Sequence, residues 1–339
     1  MSKPTVLVCD DSTTMRLALR RTLALGGLEV AGEAATGREA VDLAQRLKPD
    51  LISMDVMLPD LDGFQATRAI LAGGPARIVM VSAAGEALQT DLSFRALQCG
   101  AMDLVEKPDT ADPGVLAQWG RALAERLASL ASLPLGRPAP ASPSPLPRRP
   151  FRARHKVAAF GIAVSTGGPP ALAQLLKGLK PGLSYPVLVA QHIAPGFTPG
   201  LARWLAGQTQ LDVRLAEGGE IPAPGVVWLA KDRTDLVLAG DGSLTTPANP
   251  AGLCPNGDRL LGSLASHLGA NSAGAVLTGM GADGAQGLLA MKRAGALTFA
   301  QDHASCVVDG MPAAAVAAGG TEQRLNLEEL GFVMAELGR

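Results

Sequence analysis

The chain has 339 residues, enough for two domains with full cores at about 100–200 residues each. Hydrophobic residues make up 47% and the formal net charge is −1, a balance that excludes chain-wide attraction to nucleic acid or to an anionic membrane surface. No apolar stretch approaches the ~20 residues needed to span a bilayer, and Cys9, Cys99, Cys254 and Cys306 show neither a CxxC pair nor metal-ligand spacing.

Met1-Ser2-Lys3-Pro4-Thr5 leads straight into an apolar run, with no room for the core of a secretory signal, so a cytoplasmic protein is expected. Short apolar runs predict strands at 5–9, 28–33, 51–55, 77–82 and 101–106. Helical periodicity fills the gaps, and a last amphipathic helix covers 116–130. This alternation predicts an α/β unit with a parallel sheet. Asp10-Asp11 ends the first run and Asp55 the third, while Lys107-Pro108 closes the fifth. Open α/β sheets bind ligands at the carboxyl ends of their strands. Three carboxylates gathered there suit Mg²⁺, with waters and a phosphoryl group completing its shell. Asp55 would then be the phosphoryl acceptor. A lone Asp-Asp would mean no more than a helix cap or a βα loop.

The run Asp10-Asp11-Ser12, Met54-Asp55-Val56-Met57-Leu58-Pro59-Asp60-Leu61-Asp62-Gly63, Val81-Ser82-Ala83 and Gly100-Ala101-Met102-Asp103 through Lys107-Pro108 resembles a response-regulator receiver domain over residues 3 to 125. The resemblance implies a flavodoxin-like fold. It also implies that Asp10, Asp11, Asp55 and the Met57 carbonyl bind Mg²⁺, that Ser82 touches the phosphoryl oxygens, and that Lys107 offsets their charge. Receivers usually carry an aromatic residue three positions before this lysine, where the chain has Leu104.

Between Pro134 and Pro150 the composition turns proline-rich, with almost no large apolar residue. Such a segment acts as a semi-rigid spacer. The boundaries expected are a receiver at 1–130, a Pro-rich linker at 131–155 and a second domain at 156–339. In the latter, strands are predicted at 157–164, 186–191, 226–229, 275–279 and 296–300, and helices at 169–178, 198–207, 258–269 and 284–294. That pattern predicts a second doubly wound, Rossmann-like sheet.

Ser165 ends a strand and is followed by Thr166-Gly167-Gly168-Pro169. Glycines allow a sharp strand-to-helix turn, and proline suits a first helical turn. The turn suits a nucleophile, a phosphate site or a helix cap equally, and Ala163 breaks the Gly-x-Ser-x-Gly elbow. For a base, His192 and His303 both follow strands, whereas His155 lies at the linker edge and His267 inside a helical pattern. The carboxylate that orients a catalytic imidazole could be Asp283, in a Gly-Met-Gly-Ala-Asp-Gly loop, with Asp302 and Asp309 as competitors.

Four stretches carry a second resemblance over residues 157 to 318. They are Ser165-Thr166-Gly167-Gly168-Pro169, Gln191-His192-Ile193-Ala194-Pro195-Gly196-Phe197-Thr198, Leu277 through Gly284, and Ala300 through Pro312. They are similar to the catalytic domain of the chemotaxis protein-glutamate methylesterases, in which a receiver precedes this domain. The resemblance implies Ser165 as nucleophile, His192 as base and acid, and Asp283 as its orienting partner. The Thr166 and Met280 backbone N–H groups are candidate oxyanion donors.

The implied substrate is a glutamate γ-methyl ester on methyl-accepting chemoreceptors, with deamidation of receptor glutamines as a second activity. A CheA-type histidine kinase is the implied phosphodonor. Mg²⁺ is expected for receiver phosphorylation and no cofactor for the esterase step, with no nucleic-acid partner and no membrane insertion. In the family the unphosphorylated receiver covers the catalytic cleft. Two rival readings are a receiver-controlled hydrolase for another ester and a non-catalytic, phosphorylation-dependent scaffold. The departures lie at the rim, in Ala230-Lys231-Asp232-Arg233 and Cys254-Pro255-Asn256-Gly257-Asp258-Arg259.

Overall fold

The computed structural model describes residues 3–82, 99–108, 112–131, 156–193, 196–249 and 254–338. The chain divides into two units, Met1–Arg137 and Pro138–Arg339. From residue 132 onward, the Pro-rich segment expected over 131–155 lies outside the described residues. Among the described residues no helix is long and apolar enough to cross a membrane.

In the first unit, β1 (Thr5–Cys9), β2 (Glu29–Ala34), β3 (Leu51–Asp55), β4 (Ile78–Ser82) and β5 (Asp103–Glu106) form a parallel sheet in the order β2-β1-β3-β4-β5. That order is the flavodoxin-like doubly wound one. Helices α1 (Thr13–Leu25), α2 (Gly37–Leu47) and α3 (Gly63–Gly73) follow β1, β2 and β3, and α4 (Pro113–Ala131) follows β5. Local capping sets where they begin. The Ser12, Thr36 and Asp62 side chains accept from the Met15, Glu39 and Gln65 N–H groups and satisfy donors a helix start leaves unpaired. Val6, Leu7, Val8, Leu51, Ile78 and Met80 are buried, so the central strands read as continuous apolar runs, as parallel strands covered on both faces do.

The second unit carries a seven-stranded sheet in the order β14-β13-β12-β6-β7-β9-β8. Its strands are β6 (Ala159–Val164), β7 (Val187–Gln191), β8 (Asp212–Leu215), β9 (Val226–Leu229), β12 (Ser272–Val276), β13 (Leu297–Gln301) and β14 (Arg324–Leu325), all parallel. A small hairpin, β10 (Val237–Leu238) with β11 (Leu244–Thr245), stands apart. The helices are α5 (Gly168–Lys177), α6 (Thr198–Gln208), α7 (Gly257–Leu268), α8 (Ala285–Arg293), α9 (Gly310–Ala317) and α10 (Leu327–Leu337). After β9 the chain crosses to the other side of β6 and adds β12, so the order of growth reverses between β6 and β12. A crevice opens at such a point.

Phe160 lies between Tyr185 and Phe299, with centroid separations of 6.2 and 6.4 Å. Offset stacking of this kind adds to the apolar burial. The Tyr185 hydroxyl donates to the Met334 carbonyl at 2.5 Å and so ties α10 to the strand region.

Two predicted features differ. The strand expected at 275–279 runs from Ser272 to Val276. Its early residues are small because Gly274 lies against Met291, whose Sδ would stand 2.6 Å from an added Cβ. The hydropathy pattern also passes over β8, β14, α9 and α10. At the sheet edge β8 alternates outward residues, and there the Arg214 guanidinium lies 5.9 Å from the Trp228 ring centre.

Candidate active site

Ser165 follows β6, and its N–H donates to the Thr278 carbonyl at 3.0 Å. Gly167 sits at φ 75°, ψ 3°, and the Gly168 N–H returns to the Ser165 carbonyl at 2.8 Å. Those values fit the third residue of a type II turn, which glycine occupies without strain. The turn delivers the chain into α5, where prolines fill the first helical positions. His192 follows β7 on the neighbouring strand, and its N–H donates to the Val164 carbonyl at 2.9 Å. Ser165 and His192 therefore leave adjacent strands at the same level.

Asp283 arrives from the loop after β12. His192 Nε2 lies 2.7 Å from Asp283 Oδ2, leaving Nδ1 as the ring nitrogen available to a nucleophile. The Asp283 carboxylate also accepts the Gly257 N–H at 2.5 Å and the Asp258 N–H at 3.0 Å, from the first turn of α7. Burial alone would raise this carboxyl. The His192 bond and the two amide bonds outweigh it and hold Asp283 below the ordinary carboxylate value. Side-chain exposure is 12% for His192 and 3% for Asp283, so the pair is shielded enough for its attraction to matter.

The nucleophile candidate is buried too, at 8% exposure. No hydrogen bond from Ser165 Oγ is found among the described residues; catalytic bonds of this type often close only around substrate. The Thr166 and Met280 N–H groups likewise have no hydrogen-bond partner among the described residues. Gly279 packs against Ser165 so closely that an added Cβ would stand 2.7 Å from Ser165 Cβ.

The competing residues are engaged elsewhere. His303 is exposed, with Nδ1 2.9 Å from Asp309 Oδ2. Asp309 also holds Arg324 at 2.7 Å, and Asp302 accepts the Ser305 N–H at 2.9 Å. Ala163 takes the elbow's glycine position because its methyl fills the space beside Gly257 and Gly284, where added Cβ atoms would approach to 2.6 and 2.8 Å. His267 lies in α7, while His155, Ala194 and Pro195 fall outside the described residues.

Two glutamines escaped the sequence reading. Gln191 Nε2 donates to the Ser165 carbonyl at 2.9 Å and to the His192 carbonyl at 2.8 Å. Gln301 Oε1 accepts the Thr278 N–H at 2.8 Å, and its Nε2 donates to the Ser305 carbonyl at 2.8 Å. A signal was present, since each glutamine is the polar last residue of a largely apolar strand.

In the first unit, Asp10 and Asp55 are buried and Asp11 is exposed, each with one carboxylate oxygen within 4.8 Å of the others. Lys107 Nζ lies 2.8 Å from Asp10 Oδ2 and 2.6 Å from Asp55 Oδ2. Burial pushes the Asp55 carboxyl up to about 6; Lys107 opposes this and Asp10 adds to it. One lysine against three carboxylates leaves a net negative, all-oxygen cradle, the chemistry a hard divalent cation requires. The Met57 N–H approaches Asp55 Oδ1 at 3.4 Å, and buried Ser82 accepts the Lys107 N–H on its carbonyl at 2.7 Å. Leu104 is half-buried against the core of this unit.

Comparison with known proteins places both halves. Residues 160–334 match the family described as CheB methylesterase, and residues 6–116 match the response regulator receiver domain. A protein-glutamate methylesterase/protein-glutamine glutaminase of Myxococcus xanthus is 46% identical over 328 residues, covering 96% of this chain and 91% of the relative. A namesake from Anaeromyxobacter dehalogenans is 41% identical and covers 93% of each chain. The crystal structure of the Thermotoga maritima CheB methylesterase catalytic domain is 32% identical, with a TM-score of 0.51, covering 53% of this chain and 98% of that one.

Proposed function

The chain belongs to the CheB methylesterase family, and from that premise we propose that it is a phosphorylation-regulated protein-glutamate methylesterase acting on methyl-accepting chemoreceptors. The observation that carries the reading is the His192–Asp283 contact of 2.7 Å at the strand end beside Ser165. In this mechanism Ser165 Oγ attacks the γ-carbonyl of the glutamyl ester and passes its proton to His192 Nδ1. Asp283 holds the imidazole in the tautomer that accepts at Nδ1 and steadies the imidazolium. The Thr166 and Met280 N–H groups receive the oxyanion. His192 then protonates the leaving methoxide, and methanol departs. Water, deprotonated by the same imidazole, cleaves the acyl-enzyme to glutamate and free Ser165. A glutamine side chain follows the same path with ammonia as leaving group.

Phosphorylation falls on Asp55, with a CheA-type histidine kinase as donor in the cytoplasm. Asp10, Asp11, Asp55 and the Met57 carbonyl would hold Mg²⁺, which when bound neutralises charge on the phosphoryl oxygens. Ser82 and Lys107 meet those oxygens from the protein side.

The test is methanol release from methylated receptor membranes, with and without Mg²⁺ and a small phosphodonor. Release should require Ser165 and rise on phosphorylation only when Asp55 is present. Turnover of a generic ester with no release from receptors would move the reading to another ester. Full function in Ser165→Ala would move it to a scaffold.

A further inference from the structure

Gln191 is 4% exposed, and its side chain spans the two strand ends that carry the nucleophile and the base. Its amide nitrogen donates to the Ser165 carbonyl at 2.9 Å and to the His192 carbonyl at 2.8 Å. The Ser165 carbonyl also receives the Gly168 N–H at 2.8 Å. Two donors from different directions occupy both lone pairs of this oxygen. One donor closes the turn; the second fixes the plane of the peptide that contains it.

That plane is shared. The Ser165 carbonyl and the Thr166 N–H belong to one peptide unit, which is planar and trans, so the two groups point in opposite directions. Pinning the carbonyl toward Gln191 therefore aims the Thr166 N–H the other way, where it has no partner among the described residues. A neighbouring device acts one unit later. Thr278 Oγ1 donates to the Thr166 carbonyl at 3.0 Å, which fixes the plane of the next peptide. Space around Gln191 is reserved for this contact: a Cβ on Gly168 would stand 2.0 Å from Gln191 Oε1.

We infer that Gln191 is the positioning residue of the oxyanion site, holding the Ser165–Thr166 peptide so that the Thr166 N–H is oriented before substrate arrives. This rests on the serine-hydrolase reading given above and deepens it. Gln191 touches no reacting atom; it acts through the backbone.

The experiment compares full-length wild type with Gln191→Met, which keeps the length of the side chain and removes the donor. Three readouts are taken: turnover of p-nitrophenyl acetate, methanol release from receptor membranes, and inhibition by an alkyl boronic acid that forms a tetrahedral adduct on serine. Losing one oxyanion donor outright lowers kcat about 10²–10³-fold, so a misaimed donor is expected to lower it about 10–100-fold. KM should stay within about threefold, and the pH midpoint of kcat/KM should not move, because the His192–Asp283 contact is untouched. The boronate inhibition constant should rise by the factor by which kcat/KM falls.

A kcat within twofold of wild type overturns the inference. So does a loss of activity with unchanged boronate affinity, or one in which the pH midpoint moves with it. If Gln191→Met gives no cooperative melt, Gly168→Ala asks the same question by pushing the amide off the Ser165 carbonyl, and the same outcomes apply. Wild type that turns over the small ester but releases no methanol overturns the receptor reading alone, and Gln191 is then judged on the small ester.

Discussion

Asp283 and Asp258 cap each other's helices. Asp283, just before α8, accepts the Gly257 and Asp258 N–H groups that open α7, while Asp258 accepts the Gly287 N–H in the first turn of α8 at 2.7 Å. Asp283 thus has two roles: it faces His192 and it closes a helix end that would otherwise leave amides unpaired. The two helices pack closely enough that a Cβ on Gly287 would stand 2.8 Å from the Asp258 carbonyl.

Replacing Asp283 by asparagine is expected to lower kcat by about 10⁴, the scale seen when a triad imidazole loses its orienting carboxylate. An amide has one acceptor oxygen where the carboxylate has two, so one of the Gly257 and Asp258 N–H bonds is lost and the second unit should also lose about 0.5–1.5 kcal/mol of stability. Initial rates and urea unfolding on the same protein separate the two effects. Ser165→Ala is the contrast: activity falls ~10³–10⁶-fold with little change in stability, since its Oγ has no hydrogen bond among the described residues.

The Asp283 cap should be pH-dependent in a defined direction. Its carboxyl is held below the ordinary value, so its contribution is fully present above the unfolded carboxylate pKa near ~3.9 and is lost as pH falls through the lower folded value. Stability differences between wild type and Asp283→Asn should be large at pH 7 and shrink below about pH 4. A gap that stays constant down to pH 3 would show that ionised Asp283 does not stabilise the fold.

Lys107 lies between two buried carboxylates, Asp10 and Asp55. Lys107→Ala leaves them facing each other without a cation, and breaking a buried pair in this way costs about 3–5 kcal/mol. Mg²⁺ should recover part of that loss and should also raise the melting temperature of the first unit in wild type. Chelation should reverse both effects. No Mg²⁺ response in Lys107→Ala would count against the three-carboxylate site.

Gly279→Ala is expected to cut kcat sharply, because the new methyl would stand 2.7 Å from Ser165 Cβ and 2.3 Å from Met311 Sδ. Wild-type kinetics in this variant would mean that the loop yields without disturbing Ser165.

The alternation of apolar runs made the parallel sheets legible, and the strand ends carried the candidate site residues Asp10, Asp55, Ser165 and His192. What stayed hidden depends on partners distant in sequence. β14 and β8 are edge strands of two and four residues, too short for a pattern to stand out, and α9 is alanine-rich with no clear polar face. Residue pattern alone left His192 and His303 level; the fold separates them, since one meets Asp283 at a shielded strand end and the other meets Asp309 in the open. Gln191 and Gln301 gave only the faint signal of an amide ending an apolar run, and their work on backbone carbonyls and amides needs three dimensions to be seen.

Tyr185 is the sole tyrosine of the chain. Its hydroxyl is bonded to Met334, and burial pushes its ionisation upward. The phenol is therefore a built-in optical reporter. Its ultraviolet ionisation signal, and its susceptibility to nitration, should emerge only when α10 comes away from Tyr185. An experimenter could follow undocking of the last helix in the unmodified protein, against a background free of any other tyrosine.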